Sequence, residues 1–293
     1  MMLYLLIALT VILAVLAALA YLGSNYLMAR RPPDAPASPA DVDLIYEDVE
    51  FQSGDGITLR GWYIPTRSAL PAPTVIVCPG ANGSIDADVA VLPWFHILDL
   101  NVLTFDWRGH GRSDGRRVTL GYDERYDLIA AVEYARSRGA TKVGVLGFSM
   151  GGAVAISTAA VTPGIDAVAA DSPFVHVLTA VAVGLRERGL PDGAAYSLAR
   201  LLLAVAGWRT GRDWQQADPA RWIDRVAPRP LLLMFGELDP FAPRAEADLL
   251  WQRAGEPKEL WRVPEAAHRQ LQTLQPEAYR RRVTGFFTQH LLD

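Results

Sequence analysis

Short apolar runs that lead into Gly, Asp or Pro alternate with longer helical stretches through most of this 293-residue chain. Each run is too short for a helix and apolar at consecutive positions, as expected of parallel strands buried on both faces. The predicted strands are Thr74–Val77, Val102–Phe105, Val143–Leu146, Ala167–Ala170, Leu231–Phe235 and Leu260–Val263. The predicted helical stretches include Tyr122–Arg138, Ser149–Val161, Arg244–Arg253 and Pro276–Leu291. This alternation predicts a doubly wound, mostly parallel α/β sheet.

Two further segments complete the predicted body, which we expect to span residues 45–293. At its start, the β-branched and aromatic stretches YEDVEFQS and ITLRGWYIP flank Gly54–Gly56, which predicts an antiparallel hairpin. Residues 173–222 break the alternation with about fifty residues of amphipathic helical sequence. Connections of that length usually carry structure and often form a lid, so we expect a helical cap insertion, with plain surface helices as the alternative.

The first segment of the chain is uncharged up to Arg30. The run Leu3–Leu22 is long enough to cross a hydrocarbon core of roughly 30 Å, so residues 1–29 are predicted to form a single-pass transmembrane helix. A cleaved signal sequence is the alternative, because Ala18–Ala20 resembles a cleavage site, although the basic leader is missing. No Cys follows the segment at once, which argues against a lipoprotein anchor.

The residues after this segment predict how the body is attached to the membrane. Arg30 and Arg31 follow the apolar run, and the positive-inside rule then places the catalytic body on the cytoplasmic side. Residues 30–44 contain four prolines, which predicts a semi-rigid, extended linker. With such a linker, the membrane helix and the body should be separable, and the body should fold without touching the helix.

Charge and cysteine content exclude several classes of function. Lys and Arg number 28 against 32 Asp and Glu, giving a net charge of −4, and the longest basic run is Arg280–Arg282. A nucleic-acid partner is therefore not expected. The lone Cys78 cannot form an intramolecular disulfide, and we expect it to be a small apolar side chain at a strand end. No HExxH or clustered ligand pattern appears, so neither a metal nor another cofactor is predicted.

The strongest local motif is Gly147-Phe-Ser-Met-Gly151, which directly follows the strand KVGVL and directly precedes a helical stretch. A nucleophilic serine on such a strained turn needs glycine two residues away on each side, where side chains would collide. Ser149 is therefore the predicted catalytic nucleophile. A plain helix N-cap would explain the serine but not the two glycines.

A serine hydroxyl needs a base within hydrogen-bonding reach and a third group that orients the base. In a fold with this elbow, the acid and then the histidine follow the serine, each just beyond a later strand. Asp239 follows the strand LLLMF, and His268 follows ELWRVPEAA. The other histidines precede the serine or lie in the cap or the terminal helix, so His268 is the predicted base. Glu237 and Asp171 are the rival acids.

Taken together, these motifs resemble the α/β-hydrolase fold of serine hydrolases with an N-terminal membrane anchor, and most nearly the esterase and acyl-protein thioesterase branch. The resemblance covers roughly residues 49–290 and rests on CPGANGS, DWRGHGRSDG, GFSMGG, GELDPFAP and EAAH. It implies an oxyanion hole formed by the backbone amides of Ala81 and Met150, with Asn82 as an alternative donor. The first loop lacks the histidine found in relatives with an HGNAG loop. His110 is expected to be structural.

These features predict acyl transfer to water through a Ser-His-Asp triad, since an alkyl-transferring hydrolase of this fold would need a carboxylate nucleophile. A carboxylic ester is the first candidate substrate, a lipid or protein thioester the second, and a peptide or amide the third. The expected partner is a small-molecule or lipid acyl compound, with the membrane nearby. A non-catalytic, hydrolase-fold binding protein is the alternative of a different class.

Overall fold

The computed structural model describes residues 1–33, 36–67 and 71–293 of the chain. Asp34 and Ala35 of the predicted linker lie outside the described residues. Within the described residues the strands form one eight-stranded sheet, in the spatial order β1-β2-β4-β3-β5-β6-β7-β8. The strands are β1 Glu47–Gln52, β2 Thr58–Ile64, β3 Thr74–Cys78, β4 Asn101–Phe105, β5 Val143–Phe148, β6 Ala167–Asp171, β7 Leu231–Gly236 and β8 Lys258–Val263.

Strand directions confirm the predicted mixture of one antiparallel edge and a parallel body. β1 pairs antiparallel with β2, and β2 pairs antiparallel with β4. Every other neighbouring pair, from β4 to β8, is parallel. The six strands predicted from apolar runs all appear, each extended by no more than two residues at an end.

Helices cover both faces of the sheet. They are α1 Met2–Leu27, α2 Leu92–His96, α3 Glu124–Ser137, α4 Met150–Ala159, α5 Val177–Arg186, α6 Asp192–Thr210, α7 Arg244–Arg253, α8 Leu271–Leu274 and α9 Pro276–Phe287. Side chains of β3 alternate between two cores, with Ile76 packed among residues of α3 and α4, and Val75 and Val77 packed among residues of α2 and α9. The strands β3 to β7 are buried at every position, which is why they are nearly continuous apolar runs. The doubly wound α/β-hydrolase fold is therefore confirmed.

Residues 173–222 contain α5 and α6 together with short 3₁₀ turns at Trp214–Ala217 and Pro219–Arg221. The two helices pack against each other, and side chains from both line a cavity that also contains Ser149. Hydrogen bonds join the two ends of this segment. Asp218 accepts one from the backbone amide of Val177 at 2.7 Å and pairs with His176 at 3.1 Å. This placement fits the predicted cap.

In the part of the chain that the structure describes, α1 is the one helix long and apolar enough to cross a membrane, a property that an anchor and a signal sequence share. The expectation that this helix would not touch the body is wrong. Ala20 and Ser24 are buried, and α1 packs along α6. Ala20, Gly23 and Ser24 recur at helical spacing, and such small residues allow close approach between helices.

The residues that follow α1 are also attached to the body. The Arg30 guanidinium donates hydrogen bonds to the carbonyls of Gly111 at 2.7 Å and Ser113 at 2.8 Å. The backbone of Arg31 bonds in both directions with the loop after β4, donating to Gly109 and accepting from Gly111. Both arginines that suggested a membrane orientation therefore hold the start of the chain against this loop. The cytoplasmic orientation stays a prediction.

Candidate active site

Ser149 stands at the junction between β5 and α4, where the chain turns sharply. Its backbone has φ 52° and ψ −115°, a conformation that residues other than glycine rarely adopt. The turn lifts the side chain out of the strand direction, so the hydroxyl points into a cavity at the carboxyl ends of the parallel strands. The strand–turn–helix arrangement predicted from the motif is present.

The two glycines of the motif are there for the spatial reason that the sequence suggested. A Cβ atom on Gly147 would lie 2.3 Å from the carbonyl oxygen of Gly151. A Cβ atom on Gly151 would lie 2.4 Å from the carbonyl oxygen of Cys78 and 2.6 Å from that of Pro79. These contacts are with backbone atoms, which cannot move aside as a flexible side chain can. A side chain at either position would therefore force the backbone of the turn to shift.

His268 and Asp239 complete a hydrogen-bonded series with Ser149. The Nε2 atom of His268 lies 2.9 Å from Ser149 Oγ, and its Nδ1 atom lies 2.8 Å from Asp239 Oδ2. The carboxylate is fixed in turn, because its Oδ1 atom accepts a hydrogen bond from the backbone amide of Phe241 at 2.8 Å. With Nδ1 donating to the carboxylate, Nε2 is free to accept the hydroxyl proton. The structure thus brings together the three residues predicted as a triad.

The two rival acids lie elsewhere. Glu237 faces Arg244, with a closest separation of 3.5 Å between their charged atoms. Asp171 is fully buried, and its two oxygens accept hydrogen bonds from Tyr279 Oη and Ser172 Oγ, both at 2.8 Å. Burial raises the pKa of this carboxyl above its usual range. Asp171 is thus committed to a buried network behind the site.

The residues predicted for the oxyanion hole border the same cavity. Met150 is the first residue of α4, so its amide is one of those at a helix start that have no acceptor within the helix. Ala81 lies on the loop after β3, and both residues line the cavity beside Ser149. His110 holds this loop, since its Nε2 atom lies 3.1 Å from the Ala81 carbonyl and its Nδ1 atom 3.0 Å from that of Arg108.

The cavity around Ser149 has a volume of about 250 Å³. Ser149, Met150 and His268 are part of its lining. The lining also includes the apolar side chains of Leu120, Phe174, Val181, Leu185 and Leu202, and the charged side chains of Arg31, Glu187 and Arg188. A larger groove of about 950 Å³ lies between the cap and α7, but the groove does not reach the serine. The smaller cavity is the one that can hold a reacting group.

Some neighbours of the site were not anticipated from the sequence. The Phe241 ring centroid lies 4.5 Å from that of His268 and packs the imidazole in place. Arg269, directly after His268, has a positive φ of 59° and donates a hydrogen bond to Asp88 at 2.6 Å. Its position next to His268 is the only signal in the sequence for Arg269. Asp88 belongs to the short 3₁₀ helix Ile85–Val91, far from Arg269 in the sequence, and no local pattern points to it.

Potential metal ligands and the lone cysteine are the remaining groups that could carry chemistry. Among them, no group of three His, Cys, Asp or Glu side chains is arranged to hold a metal ion. Cys78 is fully buried, and burial raises the pKa of its thiol well above the usual value, which keeps the sulfur protonated. This is the environment expected of a core residue.

Known proteins match both the sequence and the fold. The family model described as serine aminopeptidase, S33, matches residues 70–221, just over half of the chain. The uncharacterized protein Rv2307c of Mycobacterium tuberculosis is 32% identical over 228 residues, covering 75% of this chain and 72% of that protein. The chain belongs to this α/β-hydrolase family.

Further similarities agree with that assignment. The uncharacterized protein YfhR of Escherichia coli O157:H7 is 29% identical to this hydrolase over 229 residues, covering 76% of this chain and 73% of that protein. An esterase of Pyrococcus furiosus, Pf2001, superposes with a TM-score of 0.76 at 28% identity and covers 90% of this chain and 98% of that chain. Family and structural neighbours together identify the chain as a hydrolase.

Proposed function

We propose that this hydrolase cleaves carboxylic esters through a covalent acyl-enzyme intermediate on Ser149. The observation that carries the proposal is the unbroken hydrogen-bonded series from Ser149 through His268 to Asp239, with both links under 3 Å. A buried, oriented carboxylate and a serine on a strained elbow are the arrangement that activates a hydroxyl near neutral pH.

The reaction follows from this geometry in two steps. Ser149 Oγ attacks the acyl carbonyl carbon while His268 Nε2 takes the hydroxyl proton, and the alcohol leaves with that proton as the acyl-enzyme forms. A water molecule, deprotonated by the same nitrogen, then attacks the acyl-enzyme. The bond from the acyl carbon to Ser149 Oγ breaks, His268 returns the proton to that oxygen, and the acid is released. Asp239 holds the ring and stabilises its charged form throughout. The amides of Met150 and Ala81 are proposed to stabilise the oxyanion, each worth about 2.7–4 kcal/mol by precedent.

A carboxylic ester is the first choice of substrate because of the lining of the cavity and the similarity to an esterase. The lining of the cavity is mostly apolar, which suits an acyl chain, and the chain is similar to an esterase along most of its length. A thioester would react through the same intermediate. An aminopeptidase is the second candidate, because the family carries that description and Glu187 at the cavity rim could pair with a substrate ammonium group.

A panel of substrates and one variant test the proposal. We expect the full chain to hydrolyse short p-nitrophenyl esters, and Ser149→Ala to lower kcat by about 10⁶-fold with the melting temperature little changed. Acyl-CoA thioesters and aminoacyl p-nitroanilides distinguish the other two substrate classes. Turnover of the anilide alone would replace the esterase by the peptidase. Unchanged ester turnover in Ser149→Ala would reject the nucleophile, and no turnover of any substrate would favour a binding protein.

We further infer that α1 anchors the hydrolase in a membrane. From Met2 to Leu19 the described side chains are exposed, and apolar residues predominate among them. Lipid would cover this surface, and a helix satisfies its own backbone hydrogen bonds there. The full-length protein should therefore stay in the membrane fraction after a carbonate wash. Recovery of a shortened chain that begins just after Ala20 would instead identify a cleaved signal.

A further inference from the structure

We propose that the cavity at Ser149 takes its substrate from the lipid bilayer, as an acyl ester embedded in the membrane, and that the last turns of α1 form the wall that selects the acyl chain. This inference rests on the proposed esterase function. It goes beyond that function because it assigns the anchor a second role, as part of the substrate-binding site.

The end of α1 forms part of the wall of the cavity that contains Ser149 and His268. Gly23, Tyr26 and Leu27 line the cavity together with Ser149 and His268. Leu27 is buried at this wall, whereas Tyr26 is exposed at the rim beside Arg188. A substrate bound at the serine would therefore meet the anchor helix as well as the cap. The helix is a structural part of the site.

Specific contacts keep α1 in this position. Arg209 of α6 donates a hydrogen bond to Ser24 Oγ at 2.6 Å, and its guanidinium lies 3.9 Å from the centre of the Tyr21 ring. Arg188 donates to Tyr26 Oη at 2.6 Å. Leu202 of α6 packs so closely that a Cβ atom on Gly23 would lie 2.7 Å from its Cδ2. Polar contacts thus flank an apolar helix-to-helix contact.

The residues of α1 that form this wall lie just beyond the exposed segment of the helix, which places the wall next to the membrane surface. The exposed segment from Met2 to Leu19 is about 27 Å long at 1.5 Å per residue, close to the thickness of a hydrocarbon core of roughly 30 Å. Gly23 and Leu27 lie four and eight residues further on, about 6 and 12 Å along the helix axis. The cavity wall therefore begins where the helix leaves the hydrocarbon.

The cap also exposes apolar side chains beside the end of α1. In α6, Leu201 and Trp208 are exposed, and each directly precedes a residue that contacts α1, namely Leu202 and Arg209. Trp208 is 80% exposed, which is unusual for tryptophan in water but typical at a membrane interface. Resting α6 on the bilayer would cover both side chains and bring the rim of the cavity to the lipid.

The size of the cavity indicates how much of a substrate it encloses. Its 250 Å³ falls below the roughly 300–1,000 Å³ of sites that bury a whole drug-sized ligand. A long acyl chain would fill the space between the serine and α1 and extend past Tyr26 toward the bilayer. The residues at the α1 wall would then set the preferred chain length.

Two opposite substitutions in the full-length protein test the wall. Leu27→Ala enlarges the cavity, and we expect the kcat/KM ratio of p-nitrophenyl decanoate to butyrate to rise by about fourfold for each extra methylene accommodated. Leu27→Phe places a larger side chain at the same position in the cavity wall and should lower that ratio. Leu22→Ala is the matched control, since Leu22 lies on the outer side of α1, 61% exposed, and the ratio should stay unchanged.

The outcomes separate this inference from the function on which it rests. A general loss of stability would reduce both esters together and could not move the ratio in opposite directions. Ser149-dependent turnover with the same ratio in all three variants would overturn the α1 wall and leave the esterase intact. Absence of any Ser149-dependent turnover would overturn both.

Membrane delivery has its own test, with the full-length hydrolase in phosphatidylcholine vesicles. The probe is didecanoylglycerol, placed either in the same vesicles or in separate ones at the same total concentration. We expect decanoate release to be roughly tenfold faster or more from the shared vesicles, because transfer of two acyl chains through water is costly. p-Nitrophenyl acetate, which is water-soluble, should react equally in both arrangements. Equal rates with didecanoylglycerol would contradict entry from the bilayer.

Discussion

Ser149 holds a backbone conformation that costs of order 1–3 kcal/mol and persists only because its surroundings leave no alternative. Gly147 and Gly151 let the backbones of the elbow, of Cys78 and of Pro79 approach within contact distance. The amide of Ser149 is also bonded to the carbonyl of Asp171 at 2.8 Å. Strain at a single residue, balanced by close packing around it, is what exposes the hydroxyl to the base.

The choice of acid can be tested one carboxylate at a time. Asp239→Asn should lower kcat on a p-nitrophenyl ester by about 10⁴-fold, less than loss of Ser149 or His268, because the amide favours the wrong tautomer of the histidine. Glu237→Gln removes the same charge two residues earlier and should change kcat no more than a few-fold, since Glu237 faces Arg244 instead of His268. A larger loss in Glu237→Gln than in Asp239→Asn would show that the acid is Glu237.

Among the secondary-structure elements, the junction of β5 and α4 depends on the small residues at its turn. Gly151→Ala should lower the melting temperature by several degrees, because the added methyl meets the backbone of Cys78 and Pro79. Gly285→Ala in α9 is the matched change, since nothing lies within 4 Å of its Cβ position. It should raise the melting temperature slightly, as alanine is the better helix former. Equal effects at the two positions would contradict the packing argument.

The two ends of the cap segment are joined by the pair of His176 and Asp218, in which the histidine titrates. The hydrogen bond from His176 to Asp218 raises the pKa of the imidazole. Because the folded-state pKa lies above the unfolded value of about 6.5, the pair stabilises fully below that pH and loses its effect as pH rises through the raised pKa. The melting temperature of the native chain should therefore exceed that of His176→Gln at pH 5.5, and the difference should shrink by pH 9. A difference that grew with pH would exclude this contribution.

The parallel strands were predictable because burial on both faces leaves a direct mark on the sequence. The elbow and its partners were also predictable in position, since the chain order of the fold places Asp239 and His268 after later strands. The docking of α1 was not predicted, because apolar residues that face lipid and those that face protein have the same composition. The small residues Ala20, Gly23 and Ser24 were the available signal. The contact between Asp88 and Arg269 joins residues that are far apart in the sequence, and no local pattern predicts it.

For the molecule as a whole, α1 and the body form one unit, because α1 packs along α6. A chain that starts at Asp41 would lose Leu27 and Met28 from the core and uncover Leu202 on α6. We expect it to melt at a lower temperature than the full chain in detergent and to bind more of a hydrophobic dye, whereas separable parts would show no difference. The difference in melting temperature measures how much α1 contributes to the stability of the body.

Covalent labelling with a fluorophosphonate followed by mass spectrometry tests the central claim most directly. Attack by Ser149 Oγ on phosphorus expels fluoride, so the full-length protein should gain one adduct, located on the peptide that contains Gly147-Phe-Ser-Met-Gly151. His268→Ala should slow the labelling strongly, and Ser149→Ala should abolish it. An adduct on another residue, or none on a folded protein, would contradict the assignment of Ser149 as the nucleophile.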